Sequence, residues 1–176
     1  MKPIEFKEVQ RFKIRWAWLA VAALNLLFIY AIIQQLILGK PFGSKPAPGF
    51  VLIIVELFFL ALLMFLISIK LKTRITDTGI TYRFYPFQFK ETVIEWHELK
   101  DAYIREYHSF YEYGGWGIRT GTEKTGKAIN TSESSNRGLQ LEFNDHRLLL
   151  IGTKRPEEIQ TIVDQLIGTG KINRKV

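Results

Sequence analysis

The chain has 176 residues, 47% hydrophobic and 14% aromatic, with a formal net charge of +7. That length suits one ordinary domain, or a smaller domain with a membrane anchor, and the lack of cysteine excludes disulfides, thiolate metal sites and cysteine nucleophiles. The positive charge is unevenly spread: residues 1–15 carry Lys2, Lys7, Arg11, Lys13 and Arg15 against Glu5 and Glu8, while residues 71–176 hold 16 basic and 14 acidic side chains. The excess lies beside apolar segments, where it faces anionic lipid headgroups, and nucleic acid is a poor partner for it.

Residues 1–15 read as a basic N-terminal segment. Two apolar runs follow: Trp16 to Leu38 has no charged residue, and Phe50 to Ile69 has one, Glu56. At 1.5 Å per residue a helix of about 20 residues crosses a hydrocarbon core of about 30 Å, so both runs are long enough to span a bilayer. The first exceeds a signal-peptide core, and no small-x-small cleavage pattern follows it. Between them, residues 39–49 ("GKPFGSKPAPG") read as a turn, which makes residues 16–70 a transmembrane hairpin. The turn carries only Lys40 and Lys45, whereas five basic residues precede the first run and Lys70, Lys72 and Arg74 follow the second. The positive-inside rule then puts both termini in the cytoplasm, with Trp16 and Trp18 in the inner aromatic belt. Glu56 lies at a depth comparable to Gln34 and Gln35, so a hydrogen bond across the hairpin is expected. An intramembrane carboxylate can serve a proton or ion relay. Without a basic partner in either span, however, Glu56, Gln34, Gln35 and Asn25 read as polar glue between helices or protomers.

From Leu71 the pattern changes to short segments of period-two alternation. "TRITDTGITYRFYPF" reads as a hairpin turning at Asp77-Thr78-Gly79, and "KETVIEW", "LKDAYIREY", "GWGIRT", "GLQLEF" and "HRLLLIG" as further strands. One helix closes the chain. Pro156 suits its first turn, Glu157 and Glu158 favour the positive end of its dipole, and Ile159, Ile162, Val163, Leu166 and Ile167 form one apolar stripe. About seven strands and a terminal helix describe a small barrel or two packed sheets plugged by a helix.

The segments "ITYRFYPF", "VIEWHEL", "YEYGGWGIR", "GLQLEF" and "LLLIGTKRPEEI", placed after a two-span hairpin, resemble the bacterial pleckstrin-homology (PH)-like families of small membrane proteins. The resemblance covers nearly the whole chain after the N-terminal segment. It implies an α+β architecture: a transmembrane two-helix hairpin followed, over residues 71–176, by a cytoplasmic PH-like small β-barrel or sandwich of about seven antiparallel strands capped by one C-terminal helix. It also implies a bacterial inner (plasma) membrane location and a role in protein interaction or self-assembly, with membrane lipids and a second copy or another membrane protein as partners. The family fixes no ligand.

Motifs for catalysis are incomplete. "GTEKTGKA", residues 121–128, approaches a P-loop, but Ala128 stands where the Mg²⁺-binding hydroxyl belongs, and "INTSESSNRG" cannot form the helix that meets the phosphates. Gly115-Trp116-Gly117 begins G-x-G-x-x-G, yet residue 120 is threonine. "HELKD", residues 97–101, departs from H-E-x-x-H at Asp101, and His97, His108 and His146 are dispersed. No enzyme, cofactor or metal is expected. The remaining candidates are surfaces. Tyr107, Tyr113 and Trp116 with Arg105 and Arg119 have interface chemistry, although the glycines around Trp116 favour a bend with the ring in packing. Lys70, Lys72, Arg74 and Arg83 form a lipid-facing candidate, giving a second reading as a sensor of anionic headgroups.

Overall fold

The computed structural model describes residues 4–172 and divides into two units, Lys13–Ser68 and the two flanking stretches, which join as one. The first unit is a helical hairpin. Helix α1 (Arg15–Ile32) widens into a π-helical turn over Ile33–Ile37, and α2 (Gly49–Ser68) returns. Phe28 stacks on Phe59 at 5.5 Å between the helices. Both helices are long and apolar enough to cross a membrane, and only 17% and 11% of their most apolar stretches are buried.

The expected bond between Glu56 and the glutamines does not form. Gln34 Nε2 donates to Tyr30 Oη at 2.6 Å and Gln35 Nε2 to the Ala47 carbonyl at 2.6 Å, so the glutamines tie down their own helix and the turn. Asn25 Nδ2 reaches the Val21 and Phe59 carbonyls. Asn25 Oδ1 and Glu56 Oε2 are buried with no hydrogen-bond partner among the described residues.

The second unit holds two sheets. Sheet A runs β1-β2-β3-β4: β1 (Glu5–Arg11), β2 (Lys70–Thr76), β3 (Gly79–Tyr85) and β4 (Thr92–Glu95), all antiparallel. Sheet B has the order β5-β8-β9-β7-β6, from β5 (Leu99–Glu106), β6 (Gly117–Thr120), β7 (Lys127–Asn130), β8 (Arg137–Phe143) and β9 (Leu148–Gly152). Its β7–β9 pair is parallel and its other pairs antiparallel. The sheets do not close into a barrel. The inward faces bury Phe6, Leu71, Ile75, Ile80, Leu139, Leu141 and Ile151, while Leu150 is buried on the other face of sheet B with Tyr107, Tyr113 and Ala128. A short helix, α3 (Ser109–Tyr113), precedes β6, and α4 (Pro156–Gly168) packs on β5 and β8 through Ile159, Val163 and Leu166. Each fully buried side chain of that size stabilises by about 1.5–3 kcal/mol.

Two expectations need correction. The basic N-terminal segment is not separate from the domain over its described residues, because Glu5–Arg11 is the edge strand of sheet A, while residues 1–3 lie outside the described residues. The hairpin is therefore inserted within the folded unit, between two paired strands, and does not precede it. The described residues also hold nine strands, two more than expected: β1 and β7.

The N-terminal strand is held by an unusual polar core. Gln10 is fully buried: its Nε2 donates to the Gly152 carbonyl at 2.7 Å and its Oε1 accepts from Ser134 Oγ at 2.6 Å and Thr131 Oγ1 at 3.1 Å. Beside it the buried Glu8 carboxylate accepts from Thr153 Oγ1 at 2.7 Å and the Lys154 backbone N–H at 2.9 Å. These bonds satisfy groups that would otherwise be costly to bury.

Candidate functional site

Strand pairing gathers basic side chains that are distant in sequence. Alternation in β1 turns Lys7, Val9 and Arg11 outward while Phe6, Glu8 and Gln10 point in, and β2 exposes Lys72 and Arg74 over buried Leu71, Thr73 and Ile75. The register then sets Lys7 opposite Arg74, Arg11 opposite Lys70, and Lys72 opposite Arg83. Directly opposed side chains on a sheet face lie about 5 Å apart, and like charges there repel. The first pair is bridged by Glu5, whose Oε1 lies 2.7 Å from Lys7 Nζ and 2.8 Å from Arg74. The Lys7 hydrogen bond and charge, with help from Arg74, hold the Glu5 carboxyl below its ordinary pKa. Lys70 and Arg83 lean on the Tyr85 ring, at 5.4 and 5.7 Å from its centroid. Lys72 and Arg83 oppose each other with no ion pair among the described residues.

Lys70, Lys72, Arg74 and Arg83 thus share the outer face of sheet A, and the structure adds Lys7 and Arg11 from the strand that sequence reading took for a tail. A groove of ≈ 280 Å³ crosses this face between Lys7, Lys72, Arg74, Thr81, Arg83 and Glu91. Its lining sets four cations and the Thr81 hydroxyl beside the single exposed carboxylate of Glu91, a balance of charge that attracts anions.

The aromatic candidates separate. Tyr107 and Tyr113 are 1% and 4% exposed and pack with Ala128 and Leu150, so neither can serve as a contact surface. Burial pushes both phenols up in pKa. Arg105 is committed internally: Nε donates to Gln140 Oε1 at 2.8 Å, Nη1 to Glu112 Oε2 at 2.8 Å and Nη2 to Tyr113 Oη at 2.7 Å. The neighbouring Tyr103 phenol is pushed up to about 12, chiefly by burial and next by donating to Glu142. Trp116 is half-buried, edge-on to Phe110 at 4.7 Å and Phe12 at 6.2 Å, as expected of a packing residue. Arg119 is exposed on β6, with Nε donating to the Trp116 carbonyl. The bend itself is built by Gly114, Gly115 and Gly117, with φ of 70°, 128° and 106°. Side chains other than glycine rarely adopt those values.

The stretch resembling a P-loop is the β6–β7 hairpin. Gly121 N–H donates to the Gly126 carbonyl at 2.8 Å, Lys127 opens β7 and Ala128 is buried, so no helix N-terminus meets a phosphate there. His97 pairs with Glu95 at 3.0 Å, His108 flanks α3, and His146 lies between β8 and β9. Among the described residues no group of three His, Asp or Glu could hold a metal. No family model matches the sequence, and a search of curated proteins finds no relative.

Proposed function

We propose that the chain is a non-catalytic inner-membrane protein whose hairpin crosses the bilayer and whose PH-like domain presents the outer face of sheet A to anionic lipid headgroups on the cytoplasmic side. A four-stranded meander, a second sheet and a closing helix support the PH-like reading, and the uncovered apolar surfaces of α1 and α2 support the membrane. The observation that carries the function is the stacking of three like-charged pairs on one sheet face. Such an arrangement is costly alone and favourable against an anionic surface, where each Lys or Arg contributes about 1 kcal/mol.

The test is vesicle binding by a chain in which Asn-Gly replaces residues 13–68. Lys72→Gln with Arg83→Gln should lower affinity for anionic vesicles by about thirtyfold, the equivalent of about 2 kcal/mol, and the loss should shrink as salt rises. Equal binding to neutral and anionic vesicles would refute the reading. Self-assembly is a second reading, favoured by the part-exposed Glu56 side chain in the apolar hairpin, which polar groups of a second copy can pair with.

A further inference from the structure

Phe89 is 77% exposed, Phe110 60% and Tyr111 93%, although each is large and aromatic. Phe89 lies in the loop after β3, whose last residue, Tyr85, pairs with Lys70. Lys70 is two residues from the end of α2. That loop therefore sits at the end of sheet A where the chain leaves the hairpin. Phe110 and Tyr111 belong to α3, and Trp116 bridges Phe110 to Phe12, the residue that follows β1 toward α1. Both aromatic groups thus flank the two points at which the chain passes between sheet A and the apolar helices.

The connections there are short. Three residues separate Arg11 from Arg15, and one separates Ser68 from Lys70. Four extended backbone steps reach roughly 14 Å, and two roughly 7 Å. The chain therefore enters the start of α1 and leaves the end of α2 within a few residues of this end of sheet A. The same end carries Arg11, Lys70 and Arg83, and aromatic rings mixed with Lys and Arg are the chemistry that settles at a membrane–water boundary.

We infer that Phe89, Phe110 and Tyr111 are interfacial anchors that enter the headgroup region of the bilayer crossed by α1 and α2, fixing the domain's orientation on the lipid. The inference rests on the reading of α1 and α2 as membrane spans. It differs from headgroup binding by the sheet face, because it concerns apolar insertion at the end of the sheet.

The chain has no cysteine, so a single introduced cysteine can carry a unique spin label. The test places Phe89→Cys, Tyr111→Cys, Leu27→Cys and Thr78→Cys, one at a time, in the full chain reconstituted into lipid nanodiscs. Collision of each label with oxygen, which concentrates in lipid, is compared with collision with a water-soluble nickel chelate. Thr78 is the aqueous control, because it sits at the β2–β3 turn, about 20 Å along the strands from Lys70. Leu27 reports on α1. The expected result is an oxygen-to-nickel ratio severalfold higher at residues 89 and 111 than at 78, with residue 27 higher still. Lipid contact at 27 with water-like ratios at 89 and 111 overturns the inference and leaves the spans standing. A water-like ratio at 27 overturns both. Protection of 89 and 111 from both reagents means a protein covers them, and also overturns it.

Discussion

Replacing Gln10 by methionine tests whether the N-terminal strand is held by its polar core. The two side chains are nearly equal in length and volume, so no cavity opens. The change removes donors from Gly152 O and Glu8 Oε2, and the acceptor of Ser134 Oγ and Thr131 Oγ1. A buried carbonyl left dry costs about 2 kcal/mol, and the two hydroxyls lose about 1 kcal/mol after partial re-pairing, giving about 3 kcal/mol in all. That is a large part of the 5–15 kcal/mol typical of a domain. Val9→Ala in the same strand is the control: Val9 is 49% exposed, and its loss should stay within about 0.5 kcal/mol. The assay is urea unfolding of the full chain with only Trp96 retained (Trp16, Trp18 and Trp116 replaced by phenylalanine) in detergent, followed by the fluorescence of Trp96, whose indole donates to the Thr76 carbonyl of sheet A. A Gln10→Met loss no larger than that of Val9→Ala would refute the reasoning.

Replacing residues 13–68 by Asn-Gly should give a folded, water-dispersible domain. Phe12 N–H already donates to the Ile69 carbonyl at 3.4 Å, so a two-residue turn closes a β1–β2 hairpin in register; native-like circular dichroism checks it, and an unfolded or aggregated product counts against it. A fragment beginning at residue 71 should be the less stable of the two, since it lacks β1 and strands the partners of Glu8 and Gln10. Glu56→Leu should shift the native mass of the detergent-solubilised full chain from oligomer to monomer, and an unchanged mass would dismiss Glu56 as an assembly contact.

Much of this architecture is legible locally. The hairpin boundaries, the β2–β3 turn at Asp77-Thr78, most strands of the second unit and the stripe on α4 follow from hydropathy period and turn chemistry. β1 escaped because its buried face carries Glu8 and Gln10 while Val9 faces outward, which inverts the expected alternation. β7 escaped because Ala128, Ile129 and Asn130 are all buried, leaving no period to read. α3 has five residues, too few to show helical spacing. The basic candidates Lys70, Lys72, Arg74 and Arg83 did share one face, because neighbouring strands of a hairpin bring alternate residues together. Lys7 and Arg11 joined them through a pairing across the whole inserted hairpin, which no local pattern records.

The sequence by itself determined which segments are apolar enough to leave water and where the chain must turn. It also determined the bend of "YEYGGWGIRTG", since three of its glycines occupy backbone conformations other residues avoid. Only the tertiary structure decided that the first strand belongs to the domain after the hairpin, that Tyr107 and Tyr113 are buried, and that Arg105 is committed to internal hydrogen bonds. Register and burial depend on which strands pair across long separations, and a hydrogen-bonded partner more than a hundred residues away leaves no mark on the spacing nearby.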